Sequence, residues 1–211
     1  MALQEADWES IHKWLQPKGS EYWVEEPSLT QKVFLKTTAQ EVLFGGAAGG
    51  GKSSALLMAA LQYVDIPNYS AILFRRTYAD LALPGALMDR FRDWISNYDD
   101  IHWNANQYTA TFPSGARITF GYLNNSQDYL RYKGSEFQFI GMDEVTEIRE
   151  ADYRYLFSRL RRPSTGPLSQ VPLRMRAATN PAPNWVRQRF LVEGNDKGRI
   201  FVPSKLTDNP G

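Results

Sequence analysis

Residues 41–54 read Glu-Val-Leu-Phe-Gly-Gly-Ala-Ala-Gly-Gly-Gly-Lys-Ser-Ser. Val42, Leu43 and Phe44 are a short apolar run closed by glycine, the pattern of a buried strand. Gly46, Gly51, Lys52 and Ser53 then satisfy the pattern G-x-x-x-x-G-K-S. The next residues, 55–61, read Ala-Leu-Leu-Met-Ala-Ala-Leu and are strong helix formers. Strand, glycine loop and helix stand in the order that a phosphate-binding loop requires.

The spacing follows from the chemistry. Glycines let the backbone curl until successive N–H groups point inward at a phosphate. The N-terminus of the following helix adds unpaired N–H groups and about half a positive charge. Gly46, Ala47, Ala48, Gly49, Gly50, Gly51, Lys52, Ser53 and Ser54 would therefore wrap the phosphates of ATP. Lys52 would reach the β- and γ-phosphates, and the Ser53 hydroxyl would ligand Mg2+.

Composition bounds the rest. At 211 residues the chain can bury a sizeable core, and 43% hydrophobic with 22% charged residues is ordinary for a soluble protein. The net charge of +1 excludes a global basic field, so any nucleic-acid contact must be a local patch. With no cysteine there are no disulfides and no thiolate metal sites. No apolar run approaches the length of a transmembrane helix, and the N-terminus does not read as a signal peptide. The expectation is a soluble intracellular protein without membrane contact.

Taken in order, Asp7 could cap a helix carrying Trp8, Ile11, Trp14 and Leu15 on one face, ended by Pro17 and Gly19. Residues 1–30 are read as an N-terminal helical extension, 31–206 as the core and 207–211 as the start of a linker. Gln31 offers donor and acceptor together, which suits the edge of adenine, though it reads equally as a solvated helix residue. Ser70–Phe74 is a second buried strand ending in Arg75-Arg76, residues that could face phosphates, a neighbour, DNA or solvent. A single amphipathic helix is expected over 81–96, with Leu87, Phe91, Trp94 and Ile95 inward. Residues 106–112 and 116–122 alternate with period two about Pro113-Ser114-Gly115, predicting an inserted β-hairpin.

Phe137–Met142 is an apolar strand running into Asp143-Glu144. Asp143 would hold the metal, since a hard cation prefers carboxylate oxygen. Glu144 would orient and deprotonate an attacking water, which marks an ATP hydrolase of the additional-strand (ASCE) class. Residues 173–178 form a further strand ending in Thr179-Asn180-Pro181, where Asn180 could sense the γ-phosphate or simply start a turn. Residues 185–192 read as helix and 199–202 as a last strand. Arg154, Arg161 and Arg162, with Lys133, are a candidate DNA-binding patch or an ordinary exposed face. The expected fold is α/β: a P-loop NTPase with a mostly parallel central sheet flanked by helices.

The order of these motifs resembles the large terminase subunit of tailed double-stranded DNA phages. The resemblance rests on residues 44–53, Leu73–Tyr78, the hairpin turn, Arg131-Tyr132-Lys133-Gly134-Ser135, Met142-Asp143-Glu144 and Ala178–Pro181. It implies an ATP-driven motor that pumps double-stranded DNA into a procapsid in the host cytoplasm. The implied partners are the portal protein, the small terminase subunit and further copies in a ring, the isolated chain being free to stay monomeric. It also implies a separate nuclease domain beyond the linker, so nuclease activity is not expected from these residues. By the same resemblance Thr179 and Asn180 would couple hydrolysis to motion, and Arg131 would be a finger supplied to a neighbour's site, with Arg75 and Arg76 as rivals. One departure stands out: many terminases carry an arginine within the P-loop, where this chain has Ala47 and Ala48. Another nucleic-acid translocase or helicase-like ATPase is the alternative reading.

Overall fold

A computed structural model describes residues 17–46, 49–180, 182–194 and 197–204. The helix expected around Asp7, the linker at 207–211, Ala47, Ala48 and Pro181 lie outside them. One eight-stranded sheet runs in the order β3-β4-β5-β2-β6-β7-β1-β8. The strands are β1 (Glu41–Gly46), β2 (Ser70–Arg75), β3 (His102–Asn104), β4 (Thr109–Thr111), β5 (Arg117–Tyr122), β6 (Phe139–Asp143), β7 (Arg174–Thr179) and β8 (Arg199–Ser204). Neighbours from β5 to β8 pair in parallel, while β3-β4 and β4-β5 are antiparallel. β7 lies between the P-loop strand β1 and the acidic strand β6, which is the added strand that the glutamate at 144 led us to expect.

Helices cover both faces because the strands are apolar on both. Along β1, Val42 and Phe44 enter one core and Leu43 the other; along β2, Ala71 and Leu73 oppose Ile72 and Phe74. The first core is closed by α1 (Leu29–Lys36), α2 (Lys52–Leu61) and α4 (Leu87–Ile95), and the second includes Tyr153 and Leu156 of α5 (Glu150–Phe157). Asp143 shares its face of β6 with Phe139, and so points to the side where α2 packs. Residues 17–28 also join this first core. Tyr22 is buried in it, and the Trp23 indole N–H donates to the Met58 carbonyl at 3.1 Å.

Three expectations change in detail. The single helix over 81–96 is two: a short α3 (Tyr78–Ala82) and α4, parted where Leu83 is extended and Gly85 turns at φ +73°. The four apolar residues predicted to face inward on α4 are all buried. The hairpin is not set apart from the core: β5 is itself a member of the parallel sheet beside β2, and β4 extends the same edge. The three-residue β3 was not foreseen, because His-Trp-Asn is too short to show alternation. Residues 185–192 are helical as predicted, in a short α-turn followed by a π-turn.

Candidate functional site

The C-terminal ends of β1, β6 and β7 meet the N-terminus of α2, where open parallel sheets place their ligands. Two glycines there have specific reasons. A Cβ on Gly46 would collide with the Ser204 carbonyl of β8, and Gly51 takes φ +66° immediately before α2 begins. Groups outside the motif hold the loop from both sides. The Ser204 hydroxyl donates to the Gly50 carbonyl at 3.1 Å, and the Gln31 amide nitrogen donates to the Gly51 carbonyl at 2.9 Å. The cleft beside the loop measures about 350 Å³ and is lined by Gly49–Ser54, Glu25, Arg90, Glu144 and Asn180. That is within the range of small-molecule sites.

Lys52 is nearly buried, and its ammonium lies 3.4 Å from the Gly46 carbonyl. Burial pulls its pKa below the ordinary lysine value, against the opposing pull of Glu144 and Asp143. The Ser53 hydroxyl stands 3.3 and 3.5 Å from the two oxygens of Asp143. A hydroxyl and a carboxylate side by side, both hard oxygen donors, fit a magnesium ion that takes its remaining ligands from phosphate and water.

Glu144 adopts φ 47°, ψ 51°, a left-handed conformation uncommon for a residue with a side chain. Its carboxylate accepts from the Thr179 hydroxyl at 3.1 Å, and that hydroxyl also lies 2.7 Å from the Thr146 hydroxyl. The strained turn and the threonine pair together aim the carboxylate into the cleft, beside Asn180. Glu144, Thr179 and Asn180 are thus brought to the phosphate loop from two neighbouring strands.

Arg75 settles into its own chain's site. Its Nε donates to Asp143 at 2.9 Å, with Asp143 1% exposed. Burial works against its charge, but the ion pair outweighs it and the pKa stays above the ordinary arginine value. Arg76 beside it is exposed. Gln31 is buried, not solvated: its carbonyl accepts from the Ser28 N–H at 2.7 Å in a capping box while its amide holds Gly51. One donor and one acceptor of the amide are left over.

Other predicted residues lie away from the cleft. Arg131 sits on a 3-10 turn (Asp128–Tyr132), pairs with Asp128 at 3.1 Å and covers the Tyr122 ring at 4.6 Å. It borders a separate groove over the polar face of β4 and β5, with Thr109, Thr111, Arg117 and Thr119. Arg154 pairs with Glu150, Arg161 lies 3.8 Å from Glu136, and Arg162 donates to the Val171 carbonyl. Lys133 is exposed.

Sequence reasoning missed Arg90. Its Nη1 donates to the Ser54 hydroxyl at 2.8 Å, and the side chain lines the cleft. The signal was available, for Arg90 falls on the stripe made by Leu87, Phe91 and Trp94 at helical spacing. A charge on an apolar stripe is the kind of exception that deserves a reason.

A sequence model of the family described as terminase large subunit, T4likevirus-type, N-terminal, matches residues 43–166, more than half of the chain. No curated protein sequence matches. Among solved structures, the large terminase of a thermophilic bacteriophage in complex with ADP superposes with a TM-score of 0.68 at 14% identity, over 86% of this chain and 46% of that one. The large terminase ATPase domain of Thermus phage P74-26 gives 0.56 at 15% identity, over 88% and 82%. The yeast DEAD-box splicing factor Prp28 gives 0.53 at 12% identity, over 99% and 58%. The chain spans about half the length of the first of these, and at such identities the likeness is one of fold.

Proposed function

The chain belongs to the family of large terminase subunits, of which it carries the N-terminal part, and from that premise we propose that it hydrolyses ATP to drive double-stranded DNA into a procapsid. The observation that carries the hydrolytic part is the convergence of Ser53, Asp143 and Glu144. The first two stand within 3.5 Å of each other, and the third is held by Thr179 over the same cleft. The solved relative's complex with ADP supports a nucleotide in this position.

In this reading the loop amides from Gly49 to Ser54 and the Lys52 ammonium bind the phosphates, and Gln31 braces the loop while presenting its spare donor and acceptor toward adenine. Ser53 and Asp143 would hold Mg2+, which would neutralise charge on the β- and γ-phosphates. Glu144 orients a water against the γ-phosphorus and takes its proton as the new P–O bond forms. The bond to the bridging oxygen breaks, and ADP leaves with that electron pair. Thr179, bonded to Glu144, and Asn180, at the mouth of the cleft, would report the state of the γ-phosphate to β7.

Arg131 would act on a neighbour in a homo-oligomeric ring: it is 48% exposed and does not reach its own cleft. An arginine supplied in trans raises phosphoryl transfer about 10³–10⁵-fold. Double-stranded DNA, the portal protein and the small subunit are the proposed partners, in the host cytoplasm. Lys133, Arg154, Arg161 and Arg162 would be a weak, sequence-blind DNA contact.

Steady-state ATP hydrolysis against protein concentration, with and without duplex DNA, tests the proposal. A rate per subunit that climbs with concentration, rises with duplex DNA and stops climbing in Arg131→Ala is the expected result. A flat rate would remove the ring-dependent finger. Stimulation by single-stranded but not duplex nucleic acid would favour the helicase-like reading, which the likeness to Prp28 makes structurally sensible.

A further inference from the structure

We propose that Arg90 is a second phosphate-binding cation of the cleft, contacting the α/β-phosphate side of the nucleotide from within its own chain; the inference rests on the nucleotide reading above. Leu87, Phe91 and Trp94 are 1%, 0% and 6% exposed, so the face of α4 that carries Arg90 is turned into the protein. Arg90 itself is half-buried where that face meets the cleft, and a guanidinium there is best satisfied by an anion or several acceptors. Among the described residues no carboxylate does so, whereas Arg75, Arg131, Arg149, Arg154 and Arg189 each have one. Arg90 meets the Ser54 hydroxyl instead, spending one of its five N–H donors on a neutral group.

Arg90 lines the same cleft as residues Gly49–Ser54. A phosphate cradled there is the anion that would complete the arrangement, and a planar fork of donors suits two phosphate oxygens at once. Which phosphates are met follows from the order of residues on α2. The Ser53 hydroxyl faces Asp143, on the side where Glu144 marks the γ-phosphate. The Ser54 hydroxyl, one residue on, faces α4. Arg90 therefore approaches from the side away from the bond that breaks. Its charge holds ATP and ADP alike, and it does little for the chemical step.

The experiment is a titration of the whole chain with fluorescent ATP and ADP analogues, for the unaltered protein, Arg90→Gln and Arg90→Lys. Glutamine keeps a polar, uncharged side chain on α4 and removes the charge, while lysine keeps the charge on a stem of nearly the same length. We expect Arg90→Gln to weaken ATP and ADP by the same factor, about 10- to 100-fold, as for loss of a hydrogen bond to a charged group. Lysine should recover part of that loss. Unchanged affinity in Arg90→Gln would overturn the assignment and leave Arg90 as a support for Ser54. Loss confined to ATP would overturn it too, by placing Arg90 at the γ-phosphate. If the unaltered chain binds neither nucleotide, the nucleotide reading itself falls, a result distinct from both.

Discussion

Arginines occur at both ends of the parallel sheet, and they are used in opposite ways. At the ligand end, Arg75 and Arg90 each spend few of their donors within the chain, on Asp143 and on Ser54. At the start of β7, Arg174 and Arg176 are 4% and 0% exposed and have no acidic partner among the described residues. Arg176 donates to the carbonyls of Thr37, Ala39, Gln40 and Met175, and Arg174 to the Ala59 carbonyl and the Gln62 amide. Apart from Met175 of β7 itself, these acceptors lie at or just past the ends of α1 and α2, where helices expose unpaired carbonyls and negative partial charge. Burial, then the neighbouring Arg174, push the pKa of Arg176 well below the ordinary arginine value. A polar group buried against acceptors of its own chain holds the fold. One left with spare donors or acceptors at a cleft is available to a ligand.

That contrast predicts which measurement each substitution moves. The largest effect belongs to Glu144, whose carboxylate is oriented by Thr179 and by backbone strain but does not bind the loop. Glu144→Ala should lower turnover about 10²–10⁴-fold, as for loss of a general base, with nucleotide affinity retained. Stability should hold or rise if, as proposed, Glu144 is kept for the reaction and not for the fold. A variant that unfolds early would place Glu144 with Arg174 and Arg176 and break the comparison.

Next in size, Arg176→Ala should cost about 3 kcal/mol of stability, because several buried carbonyls lose their donor together. Urea unfolding measures it. Nucleotide affinity of the folded fraction should stay unchanged, since Arg176 faces the end of α1 and the turn that enters β1, away from the cleft. A loss of affinity without loss of stability would reverse the assignment.

The two regions were unequally legible in the sequence. Glycine spacing, an apolar strand on each side and an Asp-Glu pair specify the phosphate loop because the chemistry tolerates few alternatives there. β1, β2 and β6 are equally plain, being apolar on both faces. Arginine is another matter, since its long side chain can reach carbonyls, carboxylates or a ligand from the same backbone position. Leu-Arg-Met-Arg-Ala reads as a strand, but nothing local says that both arginines are buried against helix ends. Arg75 likewise needed the β2–β6 pairing to be seen beside Asp143. Arg90 and the break at Pro84-Gly85 did leave local signals, a charge on the inward stripe and a turn dipeptide. The brace from Ser204 to the loop has no local signal, because it depends on β8 pairing with β1.

Arg75 stands between the two classes and can sharpen the division. It pairs directly with Asp143, a carboxylate that is 1% exposed and has the Lys52 ammonium as its other nearby positive charge. Arg75→Ala should lower the stability of the nucleotide-free protein by about 1–3 kcal/mol. With magnesium and ATP bound, a divalent ion beside Ser53 and Asp143 supplies the missing positive charge, so most of that deficit should vanish. Thermal unfolding with and without magnesium nucleotide measures the difference. A deficit that persists undiminished would place Arg75 with Arg176, as part of the fold.

The smallest effect tests the exposed extreme. Arg154 is 66% exposed and pairs with Glu150 one turn earlier on α5, at 2.7 Å. Such a pair contributes under about 0.5 kcal/mol, because water and salt screen it and both side chains lose freedom in forming it. Arg154→Ala should therefore leave stability and nucleotide affinity unmoved. Its partner, though, is one that a DNA phosphate could displace at little cost, since the pair is weak. If Lys133, Arg154, Arg161 and Arg162 meet DNA, removing Arg154 should weaken duplex binding slightly for every sequence and reduce the salt dependence by about one phosphate contact. An unchanged salt slope would mean that the arginines of α5 and its exit serve only Glu150, Glu136 and Val171. The DNA contact would then belong to another face of the sheet.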